Sequence, residues 1–440
     1  MKLKLWLLLF WMSPKIVLAS PPEINWAKIY KEQLFHLTEI MVTDVASPPV
    51  AARIYAYSTL SSYLVLQKQE LPFQYASILP VTYFGDFDQN KSTLKLKSPE
   101  FSAIYALLKV GEEMMPSGYI LQKKQEIWIQ YALKNKLLSK KEINSHIEFA
   151  NQIAKKVLEL AKNDGYLQLS TLTRYTPIIE QGSWHPTPPA YIEAVEPHWK
   201  TIKPFFLENL NKFEPPQMTP FDLTEKSEFH QHLMEVYTIS QELNEEQELI
   251  ANFWDCNPFK VDFKGHMAIG IKKISPGGHW MGITGIASEK KSLSFAETSY
   301  IHALVGMAIH DAFISCWKSK YETNRIRPES VINQHLDQRW KPILQTPPFP
   351  EYTSGHSVIS QTSAVILTHF FGSDFEFIDD SEVYFGLPKR EFKSFMSASE
   401  EAGISRLYGG IHFRDAIEAG QNQGAKIGIY IWNKIQSPSL

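Results

Sequence analysis

The chain has 440 residues, 44 Lys+Arg against 47 Asp+Glu, and a formal net charge of −3; it is 44% hydrophobic and 21% charged. That composition excludes a disordered acidic tail and a fibrous protein, and the lack of basic excess removes the usual electrostatic basis for nucleic-acid binding. Two cysteines, Cys256 and Cys316, exclude a disulfide scaffold and a Cys-rich zinc site, and leave open whether the pair is bridged or free.

The chain opens with a positive Met1–Lys4 segment, a short apolar run from residue 5 to 12, and small residues around Val17-Leu18-Ala19. Residues 1–19 therefore read as a signal peptide, too short in its apolar run to span a bilayer as a helix. The mature protein is expected to be exported, periplasmic or secreted, with no membrane span.

Apolar residues then recur at three- and four-residue spacing over 24–46, 51–68, 98–110, 126–161 and 228–253, which predicts helices. No series of alternating strand signals appears, so a large sheet is not expected. Proline clusters at Pro186–Pro189, Pro215-Pro216 and Pro347–Pro350 mark loops. A proline-bearing stretch at 204–223 gives a soft boundary between an N-terminal helical region, 20–225, and a C-terminal catalytic region, 226–440. The first of these carries no defensible chemistry; it is expected to pack on the second and to support a possible homodimer. Ser294-Phe-Ala-Glu297 has the form of a capping box and predicts a long helix through Trp317. A last helix, from about His412, carries Ala416, Gly420, Gly424 and Gly428 on one stripe, which allows close approach of a neighbour.

Three segments of the last third carry the chemistry. Lys320 and Arg327-Pro328 put two cations at a helix end and in the following turn, since Pro328 disfavours a helical Arg327. Ser354-Gly355-His356 opens an apolar helix, where free N–H groups and the positive dipole end attract an anion. His356 there can exchange a proton near neutral pH. Ser405-Arg406 and His412 flank the Gly409-Gly410 turn, and Asp415 is placed to hold the His412 ring. Three cations, a Ser-Gly pair and two histidines together make a site for a tetrahedral or trigonal-bipyramidal oxyanion.

The order K-x6-R-P, S-G-H, S-R-x5-H, over about a hundred residues from Lys320 to Asp415, resembles the signature shared by vanadium-dependent haloperoxidases and type 2 phosphatidic acid phosphatases. The resemblance implies an all-α fold, a helical bundle with additional N-terminal helices. It implies that Lys320, Arg327 and Arg406 bind the equatorial oxygens of vanadate, and that Ser354 and the Gly355 N–H add hydrogen bonds. His356 would be the acid-base residue. His412 would be the axial vanadium ligand, or the nucleophile that becomes phosphohistidine in a phosphatase. Two positions depart from the usual pattern. Thr353 replaces the proline before S-G-H, and Asp415 lies one position earlier than the usual aspartate, whose place is taken by Ala416.

Flanking residues favour the peroxidase branch. Trp317 and Phe349, and the runs Phe253-Trp254-Asp255 and Pro276-Gly277-Gly278-His279-Trp280, are similar to haloperoxidase sequences, in which the matching Trp and Phe border the vanadate pocket. The expected activity is oxidation of halide with hydrogen peroxide, with an organic acceptor downstream; the alternative is a soluble phosphatase acting on phosphomonoesters without vanadate.

Overall fold

The computed structural model describes residues 24–69, 78, 95–264 and 266–436; the expected signal segment 1–19 lies outside the described residues. Among them are thirteen α-helices. The N-terminal set is α1 (Trp26–Thr43), α2 (Pro48–Lys68), α3 (Pro99–Met114), α4 (Leu121–Lys134) and α5 (Lys140–Lys162). A long irregular stretch leads to α6 (Glu228–Gln241), α7 (Glu245–Phe253), α8 (Pro276–Lys290), α9 (Phe295–Thr323), α10 (Pro328–His335), α11 (Gly355–Phe371), α12 (Phe395–Tyr408) and α13 (Arg414–Gln436). Two short antiparallel ladders complete the fold: β1 (Val261–Lys264) with β2 (Met267–Gly270), and β3 (Phe377–Asp379) with β4 (Arg390–Phe392). The chain is all-α, as its periodicity predicts.

Local signals set the helix boundaries. Ser294 and Glu297 form the expected capping box at the start of α9, which then runs for 29 residues, roughly 43 Å. Two predicted helices are each broken in two. The 126–161 helix stops at Lys134, and Ser139 starts α5 by donating its N–H to Glu142 Oε2 at 2.7 Å. The 228–253 helix stops at Gln241, and Asn244 caps α7 reciprocally with Gln247. In both places a polar cap residue overrides an apolar spacing that continues across it.

Helices α2 and α9 are buried on nearly all sides and pack along each other, flanked by α3 and α11. One apolar core runs from Tyr30 to Ile435 and draws on both sides of residue 225. The proline-bearing 204–223 stretch is tied to α9 by Asp311, whose carboxylate accepts the N–H groups of Phe205, Phe206 and Leu207 at 2.7, 2.6 and 3.0 Å. Burial pushes that carboxyl up to about 7. Cys256 and Cys316 are both buried and free.

The glycine stripe of α13 docks against α11. A Cβ at Gly424 would fall 2.4 Å from the Val358 carbonyl oxygen, and one at Gly420 would fall 2.9 Å from that of Ser354. The helix that carries Ser354-Gly355-His356 is thus held by backbone-to-backbone contact. Gly424→Ala should cost roughly 1–3 kcal/mol through overpacking and lower the calorimetric unfolding midpoint by several degrees. An unchanged midpoint would contradict this close docking.

Candidate active site

Lys320 occupies the last turn of α9, which ends at Asn324 in the left-handed conformation (φ +48°). The chain turns there, and Arg327 is extended (φ −86°, ψ 151°) as the residue before Pro328, the first residue of α10. This is the geometry that the proline imposes on its predecessor. Both cations point at the loop 347–353. Lys320 Nζ donates to the carbonyls of Pro350 and Glu351 at 3.1 Å each, and to that of Thr353. Arg327 donates from Nε to Phe349 O at 2.9 Å, from Nη2 to Pro350 O at 3.4 Å and from Nη1 to Ile411 O at 2.9 Å. Arg406, near the end of α12, donates from Nη2 to the carbonyls of Trp254 and Ala251 at 2.6 and 3.3 Å.

These three cations are at most 1% exposed. Among the described residues none of them lies in an ion pair; nearby pairs involve Arg325 and His412 instead. Burial lowers Lys320 to about 7, and lowers Arg327 and Arg406 to about 10 each. Glu351 acts on Lys320 and Arg327, and Asp255 on Arg406, without a direct ion pair; three buried cations held mainly by carbonyl oxygens are an arrangement that a further anion relieves.

The helix start of α11 faces them. Ser354 is its N-cap: Oγ accepts the Ser357 N–H at 3.3 Å, and its own N–H donates to Ala416 O at 3.0 Å, which fixes the turn to α13. Thr353, in place of the proline, donates its hydroxyl to Gln423 Oε1 at 2.8 Å and so adds a second tie to α13. A Cβ on Gly355 would face Trp317 and Lys320 at 3.8 and 3.9 Å. His356 Nε2 is buried and has no hydrogen-bond partner. Burial, then Arg406 and His412, hold that imidazole well below its ordinary range, so it is neutral.

Gly410, at φ +75°, makes the turn between α12 and α13 that carries His412. His412 precedes α13 and is not its first residue. The expectation that Asp415 holds His412 from three residues along one helix is therefore not met. Asp415 Oδ1 instead accepts from Arg325 Nη1 at 2.8 Å, and Oδ2 accepts the Thr219 N–H at 3.2 Å. The carboxylate on the histidine is Glu351: His412 Nδ1 lies 2.8 Å from Oε1, which also accepts the Phe413 N–H at 3.1 Å. Arg325 Nη1 reaches Glu351 Oε2 at 3.3 Å and so links the two carboxylates. On the other side of the ring, Arg327 Nη1 lies 3.1 Å from Nε2.

Burial, then Arg327 and Lys320, push the His412 imidazole well below its ordinary range. A neutral ring between a carboxylate and a guanidinium carries its proton on Nδ1 and its lone pair on Nε2. Burial raises the Glu351 carboxyl, while Arg325, Arg327 and Lys320 oppose that rise. Glu351 and Arg325 were missed in the sequence. The contact from Glu351 to His412 spans 61 residues, and no local spacing signals it.

Trp317, Phe349, Gly355, His356, Arg406 and His412 line one pocket, with Lys320, Arg327 and Ser354 buried around it. The Trp317 and Phe349 rings meet at 4.9 Å, and Lys320 Nζ lies 5.2 Å from the centre of the Phe349 ring. The structure thus brings every sequence-predicted residue to one place except Asp415, which stands one ion pair further out.

Comparison with known proteins identifies the fold and the family. Residues 300–439 match the family model of the VCPO second helical-bundle domain. The fold is similar to a crystal structure described as the first bacterial vanadium-dependent iodoperoxidase, at 39% identity, a TM-score of 0.82, and coverage of 94% of this chain and 97% of that one. It is also similar to a holo-type bacterial vanadium-dependent chloroperoxidase, at 15% identity and a TM-score of 0.64 over 89% of this chain and 93% of that one. The apo-type chloroperoxidase gives 15% and 0.65, over 88% and 93%. No curated protein matches. A helical bundle of this kind defines the class, and the chain belongs to the vanadium-dependent haloperoxidase family. No helix among the described residues is long and apolar enough to cross a membrane.

Proposed function

We propose that this protein oxidises halide with hydrogen peroxide, using vanadate held at the Lys320–Arg327–Arg406 site. The observation that carries the reading is the set of three buried cations without ion-pair partners around the start of α11, beside the unpartnered His356 Nε2. This donor set suits a tetrahedral oxyanion, and the neutral His412 ring would hold vanadate through its Nε2 lone pair. When bound, vanadate supplies a Lewis-acidic centre that activates peroxide without changing oxidation state.

The protein's own groups do the rest. Lys320, Arg327 and Arg406 would offset the negative charge of the vanadate oxygens. Ser354 and the Gly355 N–H add hydrogen bonds at the positive end of α11. Glu351 keeps the His412 proton on Nδ1 and so keeps Nε2 free as a ligand. His356, neutral and with Nε2 unpartnered, would accept and return a proton during peroxide entry. Trp317 and Phe349 exclude water and leave an apolar face for a weakly hydrated halide. Iodide is the first halide to test, because the 39% identical relative is described as an iodoperoxidase. We place the mature chain outside the cytoplasm, on the reading of residues 1–19.

The test is a paired assay on the purified chain. Iodide and bromide oxidation by hydrogen peroxide should require added orthovanadate and decline as phosphate competes. Hydrolysis of p-nitrophenyl phosphate, run without vanadate, should be minor. Ester hydrolysis inhibited by vanadate, with no halide oxidation, would overturn the peroxidase reading and make His412 a phosphoryl-accepting nucleophile.

A further inference from the structure

At one wall of the pocket, which Cys256 itself lines, three segments bring a thiol, an imidazole and a carboxylate together. Cys256 follows α7, His279 lies in the first turn of α8, and Glu382 lies in the loop between β3 and β4. We propose that Cys256 Sγ, His279 Nδ1 and Glu382 Oε1 bind one divalent metal ion of the zinc class. The inference is independent of the halide reading.

The geometry carries it. The three donor atoms lie within 4.8 Å of one another and all three residues are buried. The separations are 3.5 Å from Sγ to Nδ1 and 3.3 Å from Nδ1 to Oε1. On a tetrahedral zinc ion, with bonds of about 2.3 Å to sulfur and about 2.0–2.1 Å to nitrogen and oxygen, the corresponding edges are about 3.5 and 3.3 Å.

The polar contacts point the same way. Nδ1 sits between the Cys256 sulfur and Glu382 Oε1, and Glu382 Oε1 is buried with no hydrogen-bond partner. The other ring nitrogen, Nε2, is held by Asp379 Oδ2 at 2.7 Å, and Asp379 is held in turn by the N–H and Oγ–H of Ser381 at 3.0 and 2.7 Å. A carboxylate behind a histidine is the usual support of a metal-bound imidazole, because it fixes the tautomer that presents the other nitrogen. Trp254 stacks on the ring at 4.4 Å and 22°, which fixes its plane.

Thiolate, imidazole and carboxylate together favour zinc or cobalt(II) over magnesium or calcium. Binding would expel the Cys256 thiol proton and any proton on His279 Nδ1 to solvent, while Nε2–H stays on Asp379. The ion would join the loop after α7 to α8 and to the β3–β4 loop. That first loop supplies the Trp254 carbonyl that holds Arg406 at 2.6 Å, so the ion would brace one of the three oxyanion-binding cations from behind.

The experiment uses the untagged full chain. Metal content is measured by plasma mass spectrometry as purified, after stripping with a chelator, and after incubation with zinc chloride and dialysis. Cobalt(II) chloride is then titrated into the stripped protein and its absorption spectrum recorded. We expect one zinc per chain, and a tetrahedral cobalt spectrum with a thiolate charge-transfer band that Cys256→Ser removes. Glu382→Gln, close to isosteric, should weaken zinc binding at least ~10-fold in a chelator competition with the circular dichroism spectrum unchanged; this variant carries the test if Cys256→Ser does not fold. No retained zinc, a cobalt spectrum without the sulfur band, or wild-type affinity in Glu382→Gln would overturn the site and leave His279 as an imidazolium between Asp379 and Glu382.

Discussion

His412→Ala should abolish saturable vanadate binding and, with it, vanadate-dependent halide oxidation. Removing a partner behind a metal-bound histidine typically costs ~10–100-fold in affinity, so removing the ligand itself should cost more than ~100-fold. The substitution removes one contact each from Glu351 Oε1 and Arg327 Nη1 and leaves the other bonds of the three cations in place. Arg327 keeps its bonds to Phe349 O and Ile411 O, Lys320 keeps its three carbonyls, and Arg406 makes no bond to His412. The three cations therefore still attract an oxyanion, and weak, non-specific phosphate or vanadate binding can persist. What should disappear is the ligand that His412 Nε2 would supply to vanadate. Equilibrium dialysis with vanadium counted on both sides, beside an iodide oxidation assay, separates the two effects. Tight vanadate binding retained in His412→Ala contradicts the role given to Nε2.

The second large effect is expected at Glu351, which lies in the proline-rich loop and not in any of the three signature segments. Oε1 accepts from His412 Nδ1 and from the Phe413 N–H, and Oε2 accepts from Arg325. Glu351→Gln keeps the shape but cannot keep all three bonds. With its amide oxygen toward His412 and Phe413, its amide N–H₂ faces the Arg325 guanidinium. The substitution also removes a fully buried carboxylate from among Arg325, Arg327 and Lys320. Stability should fall by roughly 3–5 kcal/mol, the usual cost of breaking one side of a buried ion pair. Vanadate affinity should fall ~10–100-fold because a neutral amide supports the His412 ring less than the carboxylate does. Measuring the unfolding midpoint and the vanadate dissociation constant on the same preparation distinguishes a positioning role from a purely structural one. A lower midpoint with unchanged vanadate affinity would remove Glu351 from the site.

These two residues also show what the sequence discloses and what it does not. Lys320, Arg327-Pro328, Ser354-Gly355-His356, Arg406 and His412 are legible because each set is close in the chain and each set uses a local device: a helix end, a proline-forced turn, a helix start, a glycine turn. The glycine stripe is legible for the same reason, and α13 docks on α11 through it. Glu351 is not legible, because its partner is reached only after the chain has passed through α11 and α12. The sequence points Asp415 at His412 only if the last helix begins at His412; it begins at Arg414, so the three-residue spacing does not put them on one face. The breaks at Ser139 and Asn244 were signalled by S-x-x-E and N-x-x-Q, and the apolar spacing that runs across them hid both. The Cys256–His279–Glu382 cluster gathers residues from three distant segments, and only the fold reveals it.

The most direct test of the central claim is a titration of the vanadate-free wild-type chain with orthovanadate, followed by equilibrium dialysis at fixed ionic strength and repeated in the presence of inorganic phosphate. The account predicts saturation at one vanadate per chain, with phosphate competing for the same site, since both oxyanions would rest on Lys320, Arg327 and Arg406. Binding that does not saturate, or that phosphate leaves unchanged, would mean that these buried cations do not form an oxyanion site.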